Sequence, residues 1–111
     1  MARSKKQEPG ADEWYLLRSS VNSLYIEMDK LEKKAPADQL SDLATKRVNR
    51  TIREAKQLMG SWDAHMEELA EFVAAGENPE IRDAVLVLSE IKAGLDRLNA
   101  AFSLNSKHSY R

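Results

Sequence analysis

From Ile81 to Phe102 the apolar residues Ile81, Ala84, Leu88, Ile91, Leu95, Leu98 and Phe102 recur at spacings of 3, 4, 3, 4, 3 and 4. That periodicity places one side chain per helical turn on a single face, and it dictates an amphipathic α-helix that must pack against something. The β-prone run Ala84–Leu88 falls inside this pattern, so helix is the expectation there too. The start is signalled upstream. Gly76 suits the end of a preceding helix, Asn78 is a favoured N-cap, and Pro79 suits a first helical position. Glu80 and Asp83 add negative charge where the helix dipole is positive. The helix should fade between Ser103 and Ser106.

A second seam runs through Trp14, Leu17, Val21, Leu24, Met28 and Leu31. These positions share an arc of about 120° on a helix of 3.6 residues per turn, and Tyr25 joins them. Asp12 is the expected N-cap. Pro36 should end the helix near Lys34, because the residue before a proline avoids the helical region. The third seam holds Leu40, Ala44, Val48, Ile52, Ala55, Met59, Trp62, Met66, Leu69 and Val73, starting from Asp38 as an N-cap. Gly60 and Ser61 interrupt it, but the helical phase carries across. The periodicity therefore favours one long middle helix over 38–75, with a break near Gly60 as the alternative.

These seams imply an all-α protein, an antiparallel helical bundle of three helices, or four if the middle one breaks. The outer helices would pack along successive halves of the middle one. Residues 12–104 form the helical domain, flanked by flexible tails at 1–11 and 105–111, where Leu104 and Tyr110 are docking candidates. Seven Gly and Pro in 111 residues argue against a turn-rich β-fold. The absence of cysteine removes disulfides, thiolate metal sites and thiol nucleophiles. No apolar run approaches the ~20 residues that span a bilayer, and Met1–Asp12 lacks the apolar core of a signal peptide. A cytoplasmic location without membrane contact is the expectation.

Charge is segregated along the middle seam. Lys46, Arg47, Arg50, Arg53 and Lys56 face one acid, Glu54, whereas residues 63–83 hold seven acids against Arg82. Lys46, Arg50 and Arg53 lie opposite the apolar stripe and form a solvent-facing row able to meet phosphates, with Asn49 and Thr51 beside it. Three readings of that row stand side by side: a solvated face, a polyanion site, or a contact for an acidic surface, including the acidic half of a second copy. The net charge of −1 and the lack of interleaved aromatics set the chain apart from typical nucleic-acid binders.

Catalytic signatures are missing. His65 and Glu68 run in the order opposite to the Glu-x-x-His pairs of di-metal bundles, and the other histidine, His108, is in the tail. No serine sits in a nucleophile elbow, the four glycines form no phosphate loop, and Asn49–Thr51 is a chance glycosylation match. Trp14, Trp62, Phe72 and Phe102 read as core. No cofactor or metal is expected, and the chain is not expected to be an enzyme. Tyr15, Leu16, Ile26 and Leu86 lie off the seams, and a small extended bundle covers its seams poorly. Self-association, with a dimer favoured by symmetry, is therefore expected. The sequence thus supports a protein-interaction or regulatory module that self-associates; the alternative is a nucleic-acid-associated accessory protein using the basic face.

Overall fold

The computed structural model describes residues 9–72 and 78–107. They form α1 (Ala11–Lys34), α2 (Asp42–Met59), a single turn α3 (Ala64–Glu67), α4 (Ile81–Phe102) and a terminal turn α5 (Leu104–Lys107). The protein is all-α, and among the described residues the one β pairing is an isolated bridge between Gln39 and Glu80. Tyr110, Val73, Gly76 and most of the N-terminal tail, with Arg3, Lys5 and Lys6, lie outside the described residues.

The long middle helix is not formed, and the break at Gly60 prevails. Gly60 closes the last turn of α2 with its N–H on the Lys56 carbonyl at 2.8 Å. A Cβ at Gly60 would come within 2.6 Å of that same oxygen, so the tight exit from α2 suits glycine. Three residues on, Asp63 restarts the chain. It adopts an extended backbone, and its side chain accepts from the His65 N–H at 2.9 Å and the Met66 N–H at 3.4 Å. A capping side chain that satisfies the free N–H groups of a new turn is incompatible with a helix running through it.

Past Glu68 the chain does not rise as a fourth helix. Residues 69–72 have no regular secondary structure and run back along α2. Asn49 holds this limb by its backbone: Nδ2 donates to the Phe72 carbonyl at 2.8 Å and Oδ1 accepts the Phe72 N–H at 2.7 Å. At Asn78 the chain lies where α2 began, because Asn78 donates to the Leu40 carbonyl at 2.9 Å and to Asp42 at 2.8 Å. Consequently α2 and α4 start at the same end of the molecule and run in the same direction, and α1 runs against both.

The helix starts differ from expectation for one shared reason. The connection at 36–41 pairs with the segment before α4. Leu40 donates to the Pro79 carbonyl at 2.9 Å, Ile81 to Asp38 at 2.8 Å and Arg82 to Pro36 at 3.1 Å. This pairing draws Pro79 and Glu80 out of the helix. Glu80 becomes the N-cap in place of Asn78, with its N–H donating to Asp83 at 3.3 Å. It likewise displaces Asp38 as the cap of α2. Ser41 takes that place, accepting from the Ala44 N–H at 3.1 Å. The first helix starts at Ala11 with Gly10, not Asp12, as its N-cap, and Asp12 stands inside the first turn.

The core holds the expected seams with one change of partner. Helix α1 packs chiefly on α4, rather than on the first half of the middle helix. Trp14 is buried there, and its indole N–H donates to the Leu95 carbonyl at 3.0 Å. Val21, Leu24 and Met28 of α1 meet Val48, Ile52 and Ala55 of α2 and Leu88, Ile91 and Leu95 of α4 in one buried cluster. Leu31 departs from its seam and is 44% exposed. Met66 is fully packed onto Gly94, where an added Cβ would lie 2.6 Å from its sulfur, so a glycine in mid-helix makes room for α3. Trp62 stacks edge-on against Phe102, with centroids 4.9 Å apart. Ser103 takes a left-handed conformation with φ of 54°, which ends α4 and turns Leu104 into the core.

Because Leu88 is buried and Leu86 is 59% exposed on the same helix, truncation should separate them. Leu88→Ala should cost about 2–5 kcal/mol in urea unfolding and Leu86→Ala less than about 0.5. Gly94→Val should also destabilise, by about 1–3 kcal/mol, through displacement of Met66.

Candidate functional site

Two surfaces merit attention as sites: the basic face of α2 and the side of the bundle shared by α1 and α2. On the first, Lys46, Arg47, Arg50 and Arg53 are exposed as expected, and Lys56 is half-buried. Lys46, Arg50 and Arg53 share the outward face of α2, Arg47 turns toward α1, and carboxylates reach three of the five. Arg53 makes a two-pronged contact with Glu71, both bonds at 3.0 Å. Arg50 meets Glu54 at 3.3 Å, one turn along the helix. Arg47 meets Glu27 of α1 at 3.4 Å. Among the described residues Lys46 has no ion pair, and Lys56 contributes only its field at Glu71.

The Arg53–Glu71 pair follows from the return limb. Once Asn49 holds Phe72, the preceding residue lies one turn along α2, at Arg53. The hydrogen bond from Arg53, and then its charge, hold the Glu71 carboxyl below its ordinary range, while Glu71 raises the Arg53 guanidinium. The acidic half of the middle segment thus meets the basic half within one chain, the contact that the sequence also allowed between two copies. Asn49, expected beside a phosphate, is instead committed to the backbone at Phe72.

The second surface was only partly legible. Leu16 is 65% exposed, Leu43 is 70% exposed and Leu31 is half-exposed, and their helical phase turns them to the side of the bundle where Arg47 meets Glu27. Leu16 and Leu58 line one open groove between the helices, with Glu13, Ser20 and Gln57. Leu43 escaped the sequence reading. It sits one position ahead of the Ala44–Val48–Ile52 row, and that offset was the available signal. By contrast, Leu86 and Ile26 lie off this side, Ile26 in a groove with Lys92 and Asp96 of α4.

Among the described residues no three His, Asp or Glu side chains gather as metal ligands. His65 lies in a surface groove with Glu68, Glu90 and Arg97. No described helix is long and apolar enough to cross a membrane. No protein-family model, curated protein or solved structure matches the chain.

The carboxylate of Asp63 has a structural task. Its side chain is 10% exposed and receives Arg97 Nε and Nη2, each at 2.8 Å. Burial alone would push its carboxyl up, but the Arg97 hydrogen bond and charge, with the His65 and Met66 N–H groups, outweigh it and lower the pKa. A depressed folded-state pKa means that this stabilisation is complete above the unfolded value and is lost as pH falls through the folded one. Asp63→Asn should therefore lower stability at pH 7, by about 0.5–2 kcal/mol for a weakened cap and lost ion pair. It should also flatten the stability profile below the ordinary carboxylate range, as measured by urea unfolding at a series of pH values.

Proposed function

We propose that the chain is a small non-enzymatic helical protein that works through protein–protein contact, as an interaction or regulatory module that self-associates. The observation that carries this reading is the set of solvent-facing leucines along the α1/α2 side, where Leu16 and Leu43 are each at least 65% exposed. A single exposed leucine is ordinary. Three on one side of a small bundle, at the two ends of a strip that carries charges of both signs between them, expose more apolar surface there than single scattered residues would. Because the chain carries no cysteine, such an assembly would be held non-covalently.

The alternative, an accessory protein bound to nucleic acid, draws on the exposed row of Lys46, Arg50 and Arg53. Carboxylates within 3.3 Å of Arg50 and Arg53 would compete with phosphate for the same donors, which weighs against it. Binding carried by so few free cations would be weak and strongly salt-dependent.

Light scattering at micromolar concentrations should give a mass above the 12.6 kDa of one chain. A fluorescence-anisotropy titration in 50 mM salt should show no binding to duplex or single-stranded oligonucleotides. Binding that disappears in a Lys46→Glu, Arg50→Glu, Arg53→Glu variant would instead favour the polyanion reading.

A further inference from the structure

The α1/α2 side carries its residues in a self-complementary order. The Glu27–Arg47 bridge sets the register of the two antiparallel helices. Four residues farther along α1 lies Leu31, and four residues back along α2 lies Leu43, so these two share a level near one end. Eleven residues the other way, Leu16 and Leu58 share a level near the other end, where they line a common groove. Ser23 and Leu24 are midway between the two α1 leucines. Arg50 and Thr51 are midway between the two α2 leucines, and both midpoints lie at one level.

Resting on the self-association reading, we infer that the occupant of this face is a second copy of the chain, docked about a two-fold axis crossing α1 and α2 at these midpoints. Such an axis reverses helix direction and sets each α1 antiparallel to the partner's α1, and each α2 antiparallel to the partner's α2. Leu16 then meets the partner's Leu31, and Leu43 meets the partner's Leu58. The same operation brings Glu13 to the partner's Lys34 and Arg47 to the partner's Glu54, and it lets the Ser20 hydroxyl donate to the partner's Glu27. Apolar residues meet apolar ones and each of these charges meets its opposite or a donor. Arg50 falls beside the axis, where its own Glu54 at 3.3 Å offsets the approach of the partner's Arg50.

Charge at the rim selects this axis over the other two-fold that would join the same faces. With the axis along the helices, Glu13 would face the partner's Ser61 and Lys34 the partner's Leu40, leaving both charges unmatched. Among the described residues neither Glu13 nor Lys34 has an ion-pair partner in its own chain. The extent is also sufficient. At 1.5 Å per residue α2 is about 27 Å long, and a strip two helices wide is about 18 Å across, giving on the order of 500 Å² per copy. The total of about 1,000 Å² is at the lower bound for a specific interface, so the association should be reversible.

The axis is read directly by a cysteine placed on it, in a chain that has none. Ser23 is exposed on α1. Mild oxidation of Ser23→Cys should give a disulfide-linked dimer at least tenfold faster than oxidation of Glu90→Cys, which places the thiol on exposed α4. Glu13→Lys and Lys34→Glu should each weaken the dimer several-fold, and the double variant should recover wild-type association because the swapped pair still matches across the axis. Wild type that is dimeric by light scattering, with Ser23→Cys no faster than Glu90→Cys, would overturn this arrangement and leave self-association standing. A wild-type mass that stays at one chain up to submillimolar concentration would remove both.

Discussion

The backbone clasp between the 36–41 connection and the start of α4 is the constraint from which the topology follows. Three N–H···O=C bonds, from Leu40 to Pro79, Ile81 to Asp38 and Arg82 to Pro36, tie the two helix starts together. Two of these use the free N–H groups of the first turn of α4, which would otherwise need side chains or water. With α2 and α4 starting side by side and running the same way, the chain leaving α2 has to travel back over the length of the bundle. The described part of that return, α3 and residues 69–72, is held by Asp63, Asn49 and Arg53 rather than by a helical hydrogen-bond ladder.

This explains which parts of the fold were legible in the sequence. The phase of each seam was readable because burial on one helical face imposes its period directly, and Trp14, Val21, Val48, Ile52, Leu88 and Leu95 are all buried. The return limb was not readable from periodicity. Trp62, Met66, Leu69 and Val73 continue the helical spacing by sequence, yet the limb needs apolar contacts at intervals whatever its backbone conformation. The informative residue was Asp63, an N-cap type three residues after Gly60, whose position argued for a restart. The starts of α2 and α4 were missed because their caps depend on a long-range pairing that no local pattern encodes.

The candidate site followed the same division. Exposure of Lys46, Arg50 and Arg53 could be derived from the helical phase alone. The neutralisation of Arg53 by Glu71 could not, because it requires residues eighteen apart to be brought together by the return limb. A charge run that looks available for an external polyanion is thus partly spent on the chain's own crossover. Leu31 shows the complementary case. It belongs to the α1 seam by spacing, but α2 begins only at Asp42, and Leu31 is left half-exposed near that end.

Three helices enclose three outer grooves, and the chain covers them unequally. The α2/α4 groove receives α3 and the return limb, with Met66 set onto Gly94 and Phe72 held by Asn49. The α1/α4 contact is the most extensive pairing, and α5 docks against both of its helices through the buried Leu104. The α1/α2 groove receives no further described element, and it is there that Leu16, Leu31 and Leu43 stand in solvent. A crossover that returned over α1 and α2 would have buried those leucines within one chain. By returning over α2 and α4 instead, it brings Glu71 to Arg53 and leaves the α1/α2 groove uncovered by any further described element. The topology that pairs Arg53 with Glu71 and the exposure of the leucine face therefore share one physical cause.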